Sequence, residues 1–304
     1  MTDPYRHILI IADLEGSSGC WSYAASAFLT DEWCQACLDM SRDVSRVVSA
    51  LFDAGVKAVT IKDFHRTGYN LFPELIDSRA TLISGYRQGP VPGLGNPADA
   101  QAVMFLGMHA ASGSDGFLAH TMTSRIARLE VNGKLLAEIE LFAASLAPWK
   151  IRPIFFSGCP VACRQAAAAI ENIACFPIDK SAGVENFDTE KWRTALAQAA
   201  VNSLSNDRTK PYEPVGAFDA RVTLRAGEAE AARLARRWKF EQDGAQIRIR
   251  SARIQQLYME LIRLCYLTPA IEKVLPLALA AFNLKGRSGI LLARQRLKRW
   301  GRFA

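Results

Sequence analysis

The amino-acid sequence predicts an α/β fold: a layered sandwich with a largely parallel central sheet, joined to a smaller α+β C-terminal part. Three observations predict it. Short apolar runs alternate with helical patterns through the first half of the chain, which is typical of strands joined by crossover helices. The second half mixes helical patterns with two weaker strand-like runs. The length of 304 residues allows one large domain or two modest ones.

The first elements of the chain are predicted with clear bounds. Residues 7–12 form a continuous apolar run, as expected for a strand buried on both faces of a sheet. A helical pattern covers residues 30–54, with Asp31 and Glu32 in its first turn and Gly55 just past its end. Further buried strands are predicted over residues 56–63, 80–84, 102–107, 152–157 and 173–178.

A hairpin and a run of helices complete the predicted elements. Residues 126–131 alternate between apolar and polar and end in Asn132-Gly133, a strong signal for a two-residue hairpin turn. A helix is predicted directly after it, over residues 135–146. In the second half, helices are predicted over 189–205, 227–237, 252–266 and 269–282, and strands over 221–224 and 245–250.

The predicted domain boundary lies in a polar, proline-containing hinge at residues 206–216. We therefore predict an α/β domain over residues 1–205 and a smaller α+β subdomain over 206–284. Residues 285–304 form a basic C-terminal tail.

Composition excludes several classes of protein. Apolar residues make up 50% and charged residues 22% of the chain, which is ordinary for a globular protein and excludes a disordered one. No stretch of about 18 residues is apolar and uncharged, so a multi-pass membrane protein is excluded. The N-terminus lacks the apolar core of a signal peptide. Seven cysteines, an odd number, do not indicate a disulfide framework. We therefore expect a cytoplasmic protein.

The net charge of +7 is concentrated in the tail. Residues 285–304 hold seven basic residues and no acid, so the rest of the chain is neutral overall. The tail could form an amphipathic helix on an anionic membrane or on nucleic acid. We favour instead a C-terminal helix packed on a neighbouring subunit. No nucleotide-binding motif is present, and no nucleic-acid partner is expected.

Acidic and histidine residues follow three of the predicted buried strands. Asp13 and Glu15 come after the first strand, His65 after the second, and His109 after the strand at 102–107. The carboxyl ends of parallel strands meet at one edge of a sheet, where ligands bind. Each residue alone is more often a cap or a core residue. Together they predict one cleft in which a cation relieves the repulsion between carboxylates, and mixed nitrogen and oxygen ligands suit zinc.

The spacing of five motifs gives the sequence a family resemblance. They are Asp13-Leu14-Glu15-Gly16-Ser17-Ser18-Gly19, Lys62-Asp63-Phe64-His65, Leu82-Ile83-Ser84-Gly85, Phe105-Leu106-Gly107-Met108-His109-Ala110 and Ala119-His120-Thr121-Met122. Val131-Asn132-Gly133 followed by Ala137-Glu138-Ile139 adds to them. In this order, the motifs resemble those of the DppA-type D-aminopeptidases, metallopeptidase family M55. The resemblance covers residues 7–180 well and the remainder loosely.

The resemblance implies a zinc-dependent aminopeptidase with two divalent metal ions and a metal-activated water. Its substrates would be short peptides with an N-terminal D-amino acid, and the subunits would form a homo-oligomeric ring, with a decamer as one size. The implied metal ligands are Asp13, which would bridge both ions, and Glu15, His65, His109 and Glu138. His120 would be the catalytic residue. Two alternatives stay open: a two-metal hydrolase of another amide or ester, and a non-catalytic binding protein whose basic tail engages a membrane or nucleic acid.

Two features of the sequence bear on these assignments. Glu140 lies two residues after Glu138, and on a helix the two side chains would point about 200° apart. The resemblance favours Glu138 as the ligand.

The sequence also departs from the family pattern on the substrate side. Cys159 and Pro160 stand where acidic residues are usual, and Val184-Glu185 replaces a Ser-Arg pair. The identity of the substrate is therefore more open than the metal ligands.

Overall fold

The computed structural model describes residues 5–97 and 99–303. Residues 1–4 of the first predicted domain and Ala304 of the predicted tail lie outside this part. The strands are β1 His7–Ala12, β2 Ala58–Asp63, β3 Thr81–Ile83, β4 Ala102–Met108, β5 Ile126–Val131, β6 Lys134–Leu135, β7 Arg152–Gly158, β8 Ala174–Pro177, β9 Phe218–Leu224, β10 Glu241–Asp243 and β11 Gln246–Ser251. The helices are α1 Tyr23–Ser26, α2 Asp31–Asp53, α3 Glu138–Leu146, α4 Pro160–Ala169, α5 Thr189–Asn202, α6 Glu228–Trp238, α7 Ile254–Tyr266, α8 Pro269–Lys273 and α9 Leu275–Arg299.

The central sheet has six parallel strands in the order β3-β2-β1-β4-β7-β8, which confirms the predicted α/β class. From β1 the chain builds outward through β2 and β3. It then returns to the other side of β1 and builds through β4, β7 and β8. The junction of β1 and β4 is therefore the point at which strand order reverses. Open α/β sheets bind ligands at the carboxyl ends of the strands at such a point.

Side chains of β1 alternate between two hydrophobic layers, one on each face of the sheet. Ile8 and Ile10 pack in the layer that contains residues of α2, α5 and α9. Leu9 and Ile11 pack in the layer that contains residues of α3 and α7. Burial on both faces explains why β1 and β4 are continuous apolar runs in the sequence.

A second sheet is antiparallel, with the order β10-β11-β9-β5-β6. The hairpin of β5 and β6 turns at Asn132 and Gly133, whose φ angles of 52° and 80° match the predicted two-residue turn. Because β5 pairs with β9, this sheet joins strands from both sides of residue 205. The division of the chain into domains stays a prediction.

The C-terminal region differs from the prediction in its helices. A break at Val274 separates α8 from α9, and α9 continues through the predicted basic tail to Arg299. The tail packs on its own chain, because Ile290 and Leu297 are buried in the layer of α2 and Arg296 pairs with Asp31 at 3.1 Å. Within residues 5–97 and 99–303, no helix is both long and apolar enough to span a bilayer.

Candidate metal centre

The ends of β1 and β4 approach each other so closely that only glycine fits at two positions. Gly16 donates its backbone N–H to the carbonyl of Gly107 at 2.7 Å. A Cβ on Gly16 would lie 2.4 Å from the carbonyl oxygen of Met108. Gly107 has a φ of +74°, and a Cβ there would lie 2.1 Å from the carbonyl oxygen of Asp13. These contacts hold the residues after β1 against those after β4.

One group of predicted ligands forms beside the end of β1. Nδ1 of His65 lies 3.1 Å from Oδ1 of Asp13 and 3.0 Å from Oε2 of Glu15. All three side chains are buried. The sequence prediction that residues after β1 and β2 converge on one point agrees with this arrangement.

A second group lies on the other side of Asp13. Nε2 of His109 is 3.3 Å from Oδ2 of Asp13 and 3.7 Å from Oε2 of Glu138. The ring of His120 stacks on that of His109, with centroids 3.7 Å apart. Ligand atoms of His109, His120 and Glu138 lie within 4.8 Å of one another, as do those of Asp13, Glu15 and His65. The carboxylate of Asp13 therefore faces one histidine with each oxygen.

Backbone carbonyls fix the orientation of all three imidazoles. Nε2 of His65 lies 3.0 Å from the carbonyl of Ser26, Nδ1 of His109 lies 3.1 Å from that of Ala110, and Nδ1 of His120 lies 2.8 Å from that of Leu118. A carbonyl only accepts, so these outer nitrogens carry the hydrogen. In a neutral ring, the opposite nitrogen then presents a lone pair to the centre, as in metal-bound histidines.

This donor set fits divalent metal ions. In neutral histidines, the lone pairs of His65 and His109 face carboxylate oxygens at 3.0–3.3 Å, an arrangement that is repulsive without a positive charge between them. Nitrogen and oxygen donors of this kind are those that zinc takes. Which of these residues bind metal stays a prediction.

The electrostatic field of the site favours positive charge. Burial alone would raise the pKa of Glu15, yet the neighbouring His65 holds it well below its usual value. Burial alone would lower the pKa of His65, yet Glu15 and Asp13 raise it well above its usual value. Burial raises the pKa of Glu138 to about 7. Burial, with His109 beside it, lowers the pKa of His120. The same field that attracts a proton to His65 would attract a metal cation.

The two glutamates at the start of α3 have different surroundings. Glu138 faces the cluster and accepts the backbone N–H of Met122 at 2.5 Å through Oε1. Glu140 points elsewhere, accepts the N–H of Ala137 at 3.0 Å and receives the hydroxyl of Tyr212 at 2.9 Å. The structure thus brings Glu138 to the predicted site and leaves Glu140 in a capping contact.

Comparison of this sequence with models of known protein families identifies the family to which the chain belongs. The model of the peptidase family M55, the D-aminopeptidases, matches residues 7–262. This chain belongs to the M55 D-aminopeptidase family. It is therefore a member of a family of hydrolases, as the motifs predict.

A sequence comparison and a structure comparison both relate this M55 chain to Bacillus subtilis D-aminopeptidase. A D-aminopeptidase of strain 168 is 24% identical over 183 residues, which are 58% of this chain and 66% of that protein, just under two thirds. The solved structure of the Zn-dependent D-aminopeptidase DppA, described as a self-compartmentalizing protease, superposes with a TM-score of 0.76 at 20% identity. The superposition covers 85% of this chain and 96% of that one. At this identity, the likeness shows a shared fold.

Lys180 supports the acidic loop of this M55 chain. Its Nζ donates to the carbonyls of Glu15 at 2.7 Å and Ser17 at 2.9 Å, and also to that of Cys20. Burial lowers the pKa of Lys180 to about 8. The sequence motifs give Lys180 no role, because its partners are backbone carbonyls distant in sequence.

Asp63 also acts through the backbone. Asp63 ends β2 two residues before His65, and its carboxylate accepts the side-chain amide of Asn70 at 2.9 Å and the N–H of Leu71 at 3.0 Å. Asn70 in turn donates to the carbonyl of His65 at 2.7 Å. Asp63 therefore holds the loop that carries His65.

The positions that depart from the M55 pattern lie in two places. Cys159 is the N-cap of α4, and its Sγ would lie 3.2 Å from a Cβ on Gly116, in the loop that leads to His120. Pro160 begins α4. Glu185 lies exposed in a short 3-10 turn, Val184–Asn186. Cys159 is thus the departure that packs against the loop of the predicted site.

Proposed function

We propose that this chain is a zinc-dependent D-aminopeptidase, which removes the first residue from short peptides with an N-terminal D-amino acid. The observation that carries the proposal is the position of Asp13. Its Oδ1 lies 3.1 Å from His65 and its Oδ2 lies 3.3 Å from His109, each histidine having a second carboxylate beside it. In a member of the M55 family, this is the geometry expected of a carboxylate that bridges two metal ions.

The proposed ligands divide into two sets around Asp13. Glu15 and His65 would hold one ion, and His109 and Glu138 the other. Two such ions would polarise the scissile carbonyl and lower the pKa of a water molecule. The chain supplies three carboxylates in a buried setting, and the carbonyls of Ser26 and Ala110 keep the two imidazoles turned inward.

His120 is our candidate for the proton carrier. Its Nδ1–H is held by the carbonyl of Leu118, which leaves Nε2 free to take a proton and return it. Burial, with His109 beside it, lowers the pKa of His120, which favours the neutral ring that a base requires. Its nearness to His109 and Glu138 also allows a ligand role. Metal content after substitution separates the two.

The partners we propose follow from the same relatives. The B. subtilis structure is described as a self-compartmentalizing protease, which supports a homo-oligomeric ring for this chain. Light scattering on the purified protein measures the subunit number, and a monomer would contradict the ring.

All seven cysteines are free, which supports the cytoplasm as the proposed location.

The test compares metal content with hydrolysis. The protein purified without chelator should hold about two equivalents of zinc, and Asp13→Ala should lose most of both. D-Ala-L-Ala should be cleaved much faster than L-Ala-L-Ala. Equal rates of cleavage for the two dipeptides would contradict the proposed D-specificity but would still support an aminopeptidase. Cleavage of esters or other amides alone would favour a different two-metal hydrolase, and a parent protein without metal would leave only a binding role.

A further inference from the structure

Helix α9 packs on the loops that carry and orient His65, although it lies entirely beyond the residues matched by the family model, 7–262. Its buried and half-buried residues contact the loop after His65, and also Tyr86 and Phe28. Two sets of contacts make this connection.

The first contact runs through Asn283 and Tyr86. The side chain of Asn283 accepts the backbone N–H of Tyr86 at 2.8 Å and donates to its carbonyl at 2.9 Å. The hydroxyl of Tyr86 donates to the carbonyl of Phe64 at 2.7 Å. Phe64 directly precedes His65 and its ring packs on that of Tyr86, with centroids 5.8 Å apart. A polar side chain of α9 thus fixes the residue that anchors the backbone before His65.

The second contact depends on two helical glycines. A Cβ on Gly286 would lie 2.5 Å from the ring of Tyr69 and 2.9 Å from Cβ of Thr67, in the loop after His65. A Cβ on Gly289 would lie 2.3 Å from the ring of Phe28. Phe28 lies two residues after Ser26, whose carbonyl accepts the Nε2–H of His65.

Glycine has a low helix propensity, so propensity does not explain Gly286 and Gly289. The close approach of α9 to the neighbouring rings explains why only glycine fits at both positions. One helix therefore contacts Tyr86, which bonds the backbone before His65, and Phe28, which lies near in sequence to the carbonyl that orients its ring.

We propose that α9 is a positioning element for the His65 half of the metal centre, acting through Asn283 and Tyr86. The proposal rests on the proposed zinc function. The groups that orient a metal-bound histidine set its affinity for the metal, and loss of one typically weakens binding by about 10- to 100-fold. Loosening α9 should act on the ion held by His65 and Glu15, and spare the ion held by His109 and Glu138.

The experiment is a zinc titration of full-length, metal-depleted protein against a chromophoric chelator. The variants are Asn283→Ala, which removes both contacts to Tyr86, and Tyr86→Phe, which removes only the hydroxyl that reaches Phe64. Ser288→Ala is the matched control, because Ser288 is exposed on the same helix. The melting temperature of the metal-depleted protein is measured beside each titration.

We expect one of two zinc affinities to fall about tenfold in Asn283→Ala and in Tyr86→Phe, with the other affinity unchanged. The double variant should lose no more than the larger single loss, since both act along one chain of contacts. Ser288→Ala should bind as the parent does. Two parental affinities in Tyr86→Phe, or an equal fall in both affinities, would overturn the proposal. Tyr86→Phe decides the matter if Asn283→Ala does not fold. A parent that binds no zinc would overturn the proposed function as well.

Discussion

The imidazole of His120 lies almost flat on that of His109, with the ring planes 14° apart and the centroids separated by 3.7 Å. The two rings are nevertheless held differently. His109 presents Nε2 to Asp13, whereas His120 makes no hydrogen bond with a carboxylate of the described residues and bonds instead to the carbonyl of Leu118. This difference underlies the distinct roles proposed for the two histidines.

Replacing His120 with alanine should leave zinc content at the parental level and lower kcat about 10²- to 10⁴-fold, because a proton carrier is lost while the proposed ligands stay. Metal analysis and steady-state kinetics on D-Ala-L-Ala check this. Loss of about one zinc equivalent would instead make His120 a ligand, and unchanged kcat would remove it from the chemistry.

Replacing Gly107 with alanine should abolish zinc binding and destabilise the fold by several kcal/mol. The new Cβ would meet the carbonyl oxygen of Asp13 at 2.1 Å, and the φ of +74° adds strain. Gly133→Ala is the control: it has a φ of +80°, but nothing lies within 4 Å of the added Cβ. That variant should cost only about 1 kcal/mol and keep both ions. Urea unfolding and metal analysis test the pair; equal costs would mean that the contact with Asp13 is unimportant.

Replacing Lys62 with methionine should change how stability depends on pH. Lys62 is fully buried and donates to the carbonyl of Gly85, and burial lowers its pKa to about 8 from 10.5. Between these two values the unfolded chain binds a proton that the folded chain lacks, so this residue makes the folded state more stable as pH rises through the window.

The effect should amount to about 2–3 kcal/mol between pH 8 and pH 10.5. Urea unfolding of the parent and of Lys62→Met across this range measures it, and the difference isolates Lys62 from other groups that titrate. Parallel curves for the two proteins would show that the pKa of Lys62 is close to normal in the folded state.

Replacing Arg193 with methionine should destabilise the protein by about 3–5 kcal/mol, because it leaves a buried carboxylate without its cation. Nε of Arg193 lies 2.8 Å from Oδ1 of Asp43, and both side chains are at most 6% exposed. Asp43 also accepts the N–H of Ser18 at 2.8 Å, which ties α5 and α2 to the loop after β1.

The control for Arg193 is Arg42→Met. Arg42 pairs with Asp39 at 3.5 Å with 47% of its side chain exposed, and an exposed pair of this kind contributes less than about 1 kcal/mol. Urea unfolding compares the two variants. A cost for Arg193→Met no larger than that of Arg42→Met would contradict a structural role for the buried pair.

Patterns local in sequence predicted much of the fold. The strand at residues 7–12 agrees with β1 in both bounds, because burial on both faces leaves a continuous apolar run. The helix at 30–54 differs from α2 by one residue at each end, where Thr30 and Ala54 are the caps. The helix expected over 269–282 was wrong in extent. Glycine disfavours the interior of a helix, and the close tertiary contacts of Gly286 and Gly289 explain why α9 continues through both.

The candidate site was predictable where side chains follow buried strands. Asp13, Glu15, His65 and His109 converge because parallel strands end at one edge of the sheet. Glu138 was reached through the family resemblance, because it comes from the start of a helix and not from a strand of this sheet. The roles of Asp63 and Lys180 escaped prediction, because each binds backbone groups and a sequence pattern does not reveal such partners.

Because β5 pairs with β9, the proposed site depends on a strand that lies far beyond the site residues in the sequence. All six proposed site residues precede residue 205, yet Glu138 follows a hairpin whose outer edge is completed by β9, Phe218–Leu224. A fragment cut at the hinge would carry every one of those six residues and still present the backbone of β5 as an open edge. Excising residues 1–205 as a minimal enzyme is therefore a poor engineering strategy, because Glu138 would lose the strand pairing that supports the hairpin before it.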